Sequence, residues 1–159
     1  MRIRSPLDNE IDPLAVIWHR GWQDAHADIL PPELARYRTL ESFRQRLRDG
    51  LAAVRVAGDP GAPLGFCFVK DDEIYQLYVS AEARGKGVAA ALLADGEERI
   101  AALGAETAWL ACAIGNDRAA RFYEKNGWER VGTVVSPLPT PDGTFPLEVW
   151  RYEKRIGME

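Results

Sequence analysis

The run Arg84-Gly85-Lys86-Gly87-Val88-Ala89 joins a strand-like segment to a long alanine-rich helical one. At such a junction the first backbone N–H groups of the helix lack intrahelical acceptors, and the helix dipole turns its positive end toward the loop. Glycines without a Cβ also let a ligand reach the main chain. The chemistry this suits is binding of an anion, most commonly a phosphate. Two phosphate motifs fit it poorly. Gly85-x-Gly87-x-x-Ala90 formally matches the dinucleotide fingerprint, but the preceding strand stops about four residues before the first glycine. The expected acidic residue about 20 positions on is represented only by Glu106, at the start of the next strand, and too little chain remains for a second mononucleotide half. A Walker A loop would need Lys-Ser or Lys-Thr after the glycines, and neither follows.

The elements that must hold this turn can be read from period and punctuation. Ile3-Arg4-Ser5 is a short first strand. Asn9 to His26 has Ile11, Leu14, Ala15, Trp18, Trp22 and Ala25 on one helical face and is stopped by Pro31-Pro32, and a second helix covers Leu40 to Arg48. Leu51 to Ala57, Leu64 to Lys70 and Glu73 to Ser80 read as three consecutive strands joined by turns rich in Gly, Asp and Pro. From Gly85 to Leu103 the period changes to that of a helix, with Gly96 allowing close approach to a sheet. Thr107 to Ile114 is a nearly continuous apolar run, as expected of a strand covered on both faces and parallel to the one before the helix. Asn116 caps a short helix over Asp117 to Asn126. Trp128 to Val135 and Pro146 to Arg155 are closing strands around a Pro/Gly-rich connection, Ser136 to Phe145.

A chain of 159 residues, 47% hydrophobic, suits one domain over 1–159, folded without disulfide or metal. Cys67 and Cys112 form no C-x-x-C pair, so neither a zinc site nor a redox motif is encoded, and a reducing, cytoplasmic setting is expected. The N-terminal residues do not read as a secretory signal, and no apolar stretch approaches the ~18 residues of a membrane span. A net charge of −4 argues against a general nucleic-acid surface, so the anion site has to be local.

The segment Leu77-Tyr78-Val79-Ser80-Ala81-Glu82-Ala83-Arg84-Gly85-Lys86-Gly87-Val88-Ala89 resembles the acetyl-coenzyme A signature of the GNAT superfamily of N-acetyltransferases, Q/R-x-x-G-x-G/A, at Arg84, Gly87 and Ala89. A second signature, an Asn opening a helix that carries Phe-Tyr and ends in Asn/Gly-aromatic, is matched by Asn116 to Trp128. The two together are more specific than either alone; residues 1 to 50 are similar to the family only in element order. The resemblance implies an α/β fold with a central, mostly antiparallel sheet, one parallel strand pair splayed at the cofactor site, and about four flanking helices. It also implies an acetyl-CoA-dependent N-acetyltransferase acting on a primary amine of a small molecule or peptide by direct attack in a ternary complex. The same features would suit a non-catalytic acyl-CoA-binding module, and more distantly a dinucleotide-binding oxidoreductase. Homodimer formation through the late strands is common in the family.

By the same resemblance, the coenzyme pyrophosphate lies on the amides of Arg84, Gly85, Lys86, Gly87, Val88 and Ala89, and the pantetheine arm bonds the backbone near Leu77 and Val79. The Val79 amide would polarise the acetyl carbonyl. Asn116 either only caps its helix or also contacts the pantetheine, and Arg121, with Arg118 and Lys125, either meets a nucleotide phosphate or is simply solvated. Tyr123 matches the family's usual general acid, which protonates the departing thiolate; its plainer reading is a helix tyrosine packed on the sheet. An alkyl ammonium with a pKa near ~10.4 cannot attack, so a base is needed. Glu73 stands where some members carry a catalytic glutamate, or else belongs to an exposed Asp71-Asp72-Glu73 turn. His19 and His26 are rival bases, Trp22 and His26 border the acceptor site, and Cys112 is a core thiol or an acetyl carrier. The acceptor pocket is expected from Trp22 to Glu33, the Leu51 to Ala57 strand and Ser136 to Phe145, with the acidic triplet suiting a cationic amine.

Overall fold

A computed structural model describes residues 2–157. Ile3–Arg4 (β1) pairs with Val54–Ala57 (β2), which continues through Gly65–Lys70 (β3) to Glu73–Val79 (β4) as an antiparallel meander. Ile11–His26 (α1), the single turn Pro32–Ala35 (α2) and Leu40–Gly50 (α3) fill the connection from β1 to β2. Val88–Ala102 (α4) crosses from β4 to Thr107–Ala113 (β5), and Asp117–Lys125 (α5) leads to Glu129–Thr140 (β6) and Gly143–Arg155 (β7). The seven strands form one sheet in the order β1-β2-β3-β4-β5-β7-β6, antiparallel at every pair except β4 with β5. That topology is not the doubly wound parallel sheet a dinucleotide-binding oxidoreductase needs, which removes the reading of Gly85-x-Gly87 as its fingerprint.

The sheet separates two apolar clusters, and alternation along β3 feeds both. Phe66 and Phe68 face α1 and α3, where Trp18 is fully buried and stacks on Phe43 at 4.7 Å between ring centroids. Cys67 and Val69 face α4, whose Val88, Leu92, Gly96 and Ile100 form its buried stripe. A Cβ on Gly96 would stand 2.8 Å from Ile74 Cδ1 and 3.0 Å from Cys67 Sγ. Glycine lets the helix settle on the strands, and that contact offsets its cost of about 0.5–1 kcal/mol in a helix interior.

The feature that matters most for function is where the sheet fails to close. β4 and β5 are in register only at Glu73 and Trp109, with the Trp109 N–H also donating to the Asp72 carbonyl at 3.1 Å. Opposite Phe68 and Val69, β4 pairs through Gln76 and Ile74, so Tyr75 is an extra, unpaired residue. This bulge bends β4 away from β5, and beyond it the two strands diverge. The splayed pair expected from the resemblance is therefore present, with a named residue as its cause.

Several element readings change. β5 is not covered on both faces: Thr107 and Ala111 are exposed and Trp109 is half-buried, because α1 and α3 lie over β2 to β4 and stop short of it. Ser136 to Phe145 is not a loop but the far half of a long β6–β7 hairpin, turning at Pro141-Asp142. Its prolines fit because β6 is an edge strand, and Pro146, opposite Pro137, lies beyond the Val149–Arg155 stretch where β7 also pairs with β5. Pro31-Pro32 does more than stop α1: Pro31 is the N-cap of α2, and Pro32 opens that turn at a position where a missing N–H costs nothing.

Candidate active site

A cavity of about 730 Å³ opens along the gap between β4 and β5. Strand alternation determines what β4 offers to it. The Ser80 N–H donates back to the carbonyl of Leu64, just ahead of β3, at 2.8 Å, so Tyr78 also turns its backbone groups toward β3, while Leu77 and Val79 turn theirs the other way, into the gap. With β5 diverged, those groups have no strand partner. An extended chain of alternating amide donors and acceptors can take the vacant place.

At one end of the gap lies the glycine turn. Gly85 and Gly87 have φ of +78° and +79°, a region costly to residues with a Cβ, and an added Cβ at either would meet no atom within 4 Å. Gly87 is the N-cap of α4 with no side-chain hydrogen bond, and no acidic residue occupies the first turn. The leading N–H groups of α4 thus face open space with a positive dipole end behind them. Arg84 reaches across to α1, its Nη2 3.1 Å from Asp24 Oδ2.

Gly85, Gly87, Val88, Ala89, Leu77, Val79, Arg84, Asn116, Tyr123, Glu73, Trp22 and His26 all line this one cavity. Lys86 and Arg121 do not; both are exposed, and on α5 it is Arg118 and Lys125 that border the cavity instead. His19 also lies away from it, packed near Phe43 at 6.1 Å between ring centroids. The side chain of Asn116 caps α5, Oδ1 accepting from the Ala119 N–H at 3.3 Å, and the residue lines the cavity as well. Tyr123 packs edge-on against Phe122 and Trp128, and burial raises its hydroxyl pKa further above the ordinary tyrosine value. It therefore stays protonated at any working pH, as a proton donor must.

Glu73 stands at the fork where β4 and β5 part. Burial, its largest influence, pushes the carboxyl up to about 7, helped by Asp72 and Asp71 and opposed by Lys70 and Arg151. His26 moves the other way: burial, with Arg38 adding and the Trp22 carbonyl opposing, lowers it to about 4, leaving a neutral and weakly basic imidazole. Burial also pushes the Cys112 thiol up to about 12, so it is not a nucleophile near neutrality.

The far end of the cavity differs from expectation. β2 does not reach it because β3 and β4 stand between, so Leu51 to Ala57 contributes nothing to the wall. Its place is taken by Arg38, Arg46, Tyr75 and Tyr78, together with Leu138 on β6. The sequence carries no motif for these residues: Arg46 is one of several charges within a helix, and Tyr75 and Tyr78 are residue types common in strands. Among the described residues there is no group of His, Cys, Asp and Glu suited to a metal ion, and no helix long and apolar enough to cross a membrane.

Residues 15–128 match the acetyltransferase (GNAT) family model. An uncharacterized N-acetyltransferase of Mycobacterium tuberculosis is 33% identical over 96 residues, covering 57% of this chain and 62% of its own length, so the chain spans less than two thirds of the curated relatives it matches first. Among solved structures, a GCN5-related N-acetyltransferase of Rhodopseudomonas palustris superposes with a TM-score of 0.75 at 22% identity, covering 97% of this chain and 94% of its own. The PaiA N-acetyltransferase of Thermoplasma acidophilum, solved in complex with coenzyme A, gives 0.73 at 18% identity, covering 97% and 98%.

Proposed function

The chain belongs to the acetyltransferase (GNAT) family, and from that premise we propose that it moves an acetyl group from acetyl-CoA to an amine by direct attack in a ternary complex. The observation that carries this reading is the open edge of β4: backbone groups of Leu77 and Val79 face a gap with the free N-terminus of α4 at one end and Tyr123 along its wall. The pantetheine arm replaces the missing strand partner, and the pyrophosphate rests on the Gly85–Ala89 amides. The Val79 N–H donates to the thioester carbonyl, holding the oxyanion that forms when the amine nitrogen attacks. As the C–S bond breaks, the thiolate takes the Tyr123 proton, and the proton lost by the amine goes to Glu73, directly or through water. Arg118 and Lys125, rather than Arg121, meet the nucleotide phosphate. One domain, with the compartment of a cytoplasmic enzyme, completes the reading.

Thiol release over a panel of amines, with acetyl-CoA as donor, tests it. Acetyl-CoA should raise the melting temperature, by about 2.7 kcal/mol of stabilisation at 100 times its dissociation constant. Tyr123→Phe should lower kcat by about 10²-fold or more while leaving the donor KM nearly in place. Donor binding without turnover, unaffected by Tyr123→Phe, would make the domain a binding module instead. Absence of a thermal shift at saturating donor would remove the coenzyme site altogether.

A further inference from the structure

Arg38 and Arg46 both line the far end of the cavity, and neither has a carboxylate within ion-pair distance among the described residues. Arg38 is only 4% exposed, and its one side-chain hydrogen bond is from Nη1 to the Pro139 carbonyl at 2.8 Å. Arg46 donates from Nη2 to the Tyr75 hydroxyl at 2.6 Å and lies over the Trp18 ring, 4.5 Å from its centroid. Burial and then the neighbouring Arg46 charge lower the Arg38 pKa to about 10, so the two cations also repel each other. Among the described residues, the other arginines that are not exposed have carboxylate partners: Arg4 has Glu10, Arg44 has Asp12, Arg55 and Arg99 have Asp95, and Arg151 has Glu153. A buried charge without a counter-ion, as at Arg38, is expensive, and the half-buried Arg46 charge beside it adds repulsion. Each guanidinium spends only one Nη on a protein acceptor, leaving the other Nη and the Nε uncommitted, and both residues line the cavity.

We propose that the acceptor is a small amine bearing its own carboxylate, an amino acid, whose carboxylate is held jointly by Arg38 and Arg46. This rests on the acetyl-transfer reading above. A planar carboxylate offers two oxygens to two forks, while the two guanidinium charges repel a polycation; Trp18, Trp22 and Tyr78 beside them suit a flat or apolar side chain. Glu73 is the sole acidic residue lining the cavity among those described, against five arginines and lysines. Asp72, which sequence alone offered to a cationic amine, instead accepts from Trp109 Nε1 at 3.0 Å, and neither it nor Asp71 lines the cavity. Glu73 and Tyr75 stand on the same β4 wall, so the base and the carboxylate site address the amine and the acid of one molecule.

The test uses matched sets, each an amino acid with its carboxamide and its decarboxylated amine, alongside phosphoethanolamine and spermidine, read by thiol release. Amino acids should exceed their uncharged counterparts by about 10- to 100-fold in kcat/KM. Arg46→Gln should raise the amino-acid KM by a similar factor and leave the acetyl-CoA KM in place; Arg38→Gln should do the same, though Arg38 also holds the β6 carbonyl. Carboxamides, plain amines, phosphoethanolamine or spermidine turning over as well as amino acids would overturn the proposal while leaving acetyl transfer intact. Failure of every amine would instead sink the transfer reading. In that case calorimetric binding of N-acetyl amino acids to the protein with coenzyme A decides this site: binding lost in Arg46→Gln upholds it, and no binding to the unaltered protein overturns it.

Discussion

A carboxyl raised to about 7 acts as a base only once it has lost its proton, and for Glu73 that loss falls in the middle of the physiological range. The activity proposed here should therefore rise with pH through about 7, and Glu73→Gln should remove that limb and cut kcat by about 10²-fold. The same burial has a thermodynamic sign. A folded-state value above the unfolded 4.5 means the folded protein binds the proton more tightly. The associated stability is then present below about 4.5 and lost as pH rises toward 7. Glu73→Gln should accordingly melt higher than the parent at pH 8, while being the poorer enzyme. A pH–rate profile and melting curves at pH 5 and 8 check both halves; an unchanged acidic limb would move the base elsewhere. A limb set by His26, lowered to about 4, would fall near pH 4 instead.

At the scale of elements, α4 does two separable jobs. Its N-terminus presents free amides through Gly87, at φ +79° with open space around an added Cβ, while Gly96 lets its middle press on Ile74 and Cys67. Gly87→Ala should therefore strain the turn by about 1–2 kcal/mol and raise the acetyl-CoA KM, since a shifted turn misaims its amides. Gly96→Ala should lower stability by a comparable ~1–3 kcal/mol through overpacking and leave that KM alone. Donor titrations paired with thermal melts distinguish the two, and equal effects on KM would mean the turn is not the phosphate seat. The period change at Gly85 and the Asn116 cap made α4 and α5 legible from the chain. The β6–β7 hairpin was not, because proline and glycine mark both loops and edge strands, and only the neighbouring strand distinguishes them.

Across the whole molecule, one buried contact holds the N-terminal segment to the sheet. Glu10 receives both Nη groups of Arg4, at 2.9 and 2.7 Å, and also the Leu7 and Gly61 N–H groups, at 2.7 and 3.0 Å, so it ties β1, α1 and the β2–β3 turn together. Those bonds, the one to Arg4 foremost and against the pull of burial, lower its carboxyl to about 2. Here the sign is opposite to that of Glu73: the stability is present above about 4.5 and lost as pH falls toward 2. Glu10→Gln should cost about 1–3 kcal/mol at pH 7, because charge-assisted bonds from Arg4 and two backbone N–H groups are weakened, and its deficit should shrink as pH falls over that window. Urea unfolding at pH 7 and pH 3 measures it; a constant deficit would locate the loss in packing. Features that depend on neighbours along the chain were legible in it: the glycine turn at Gly85–Gly87 ahead of α4, the capped α5 with Tyr123, and through them the family. Tertiary structure alone decided the rest. The Tyr75 bulge opens the gap only because β3 and β5 hold their own partners, the Glu73 carboxyl is raised only because the fold buries it, and Arg38 meets Arg46 only because the α2–α3 connection and α3 fold over β4. Charge and strand pairing act through space, and the chain order does not record those distances.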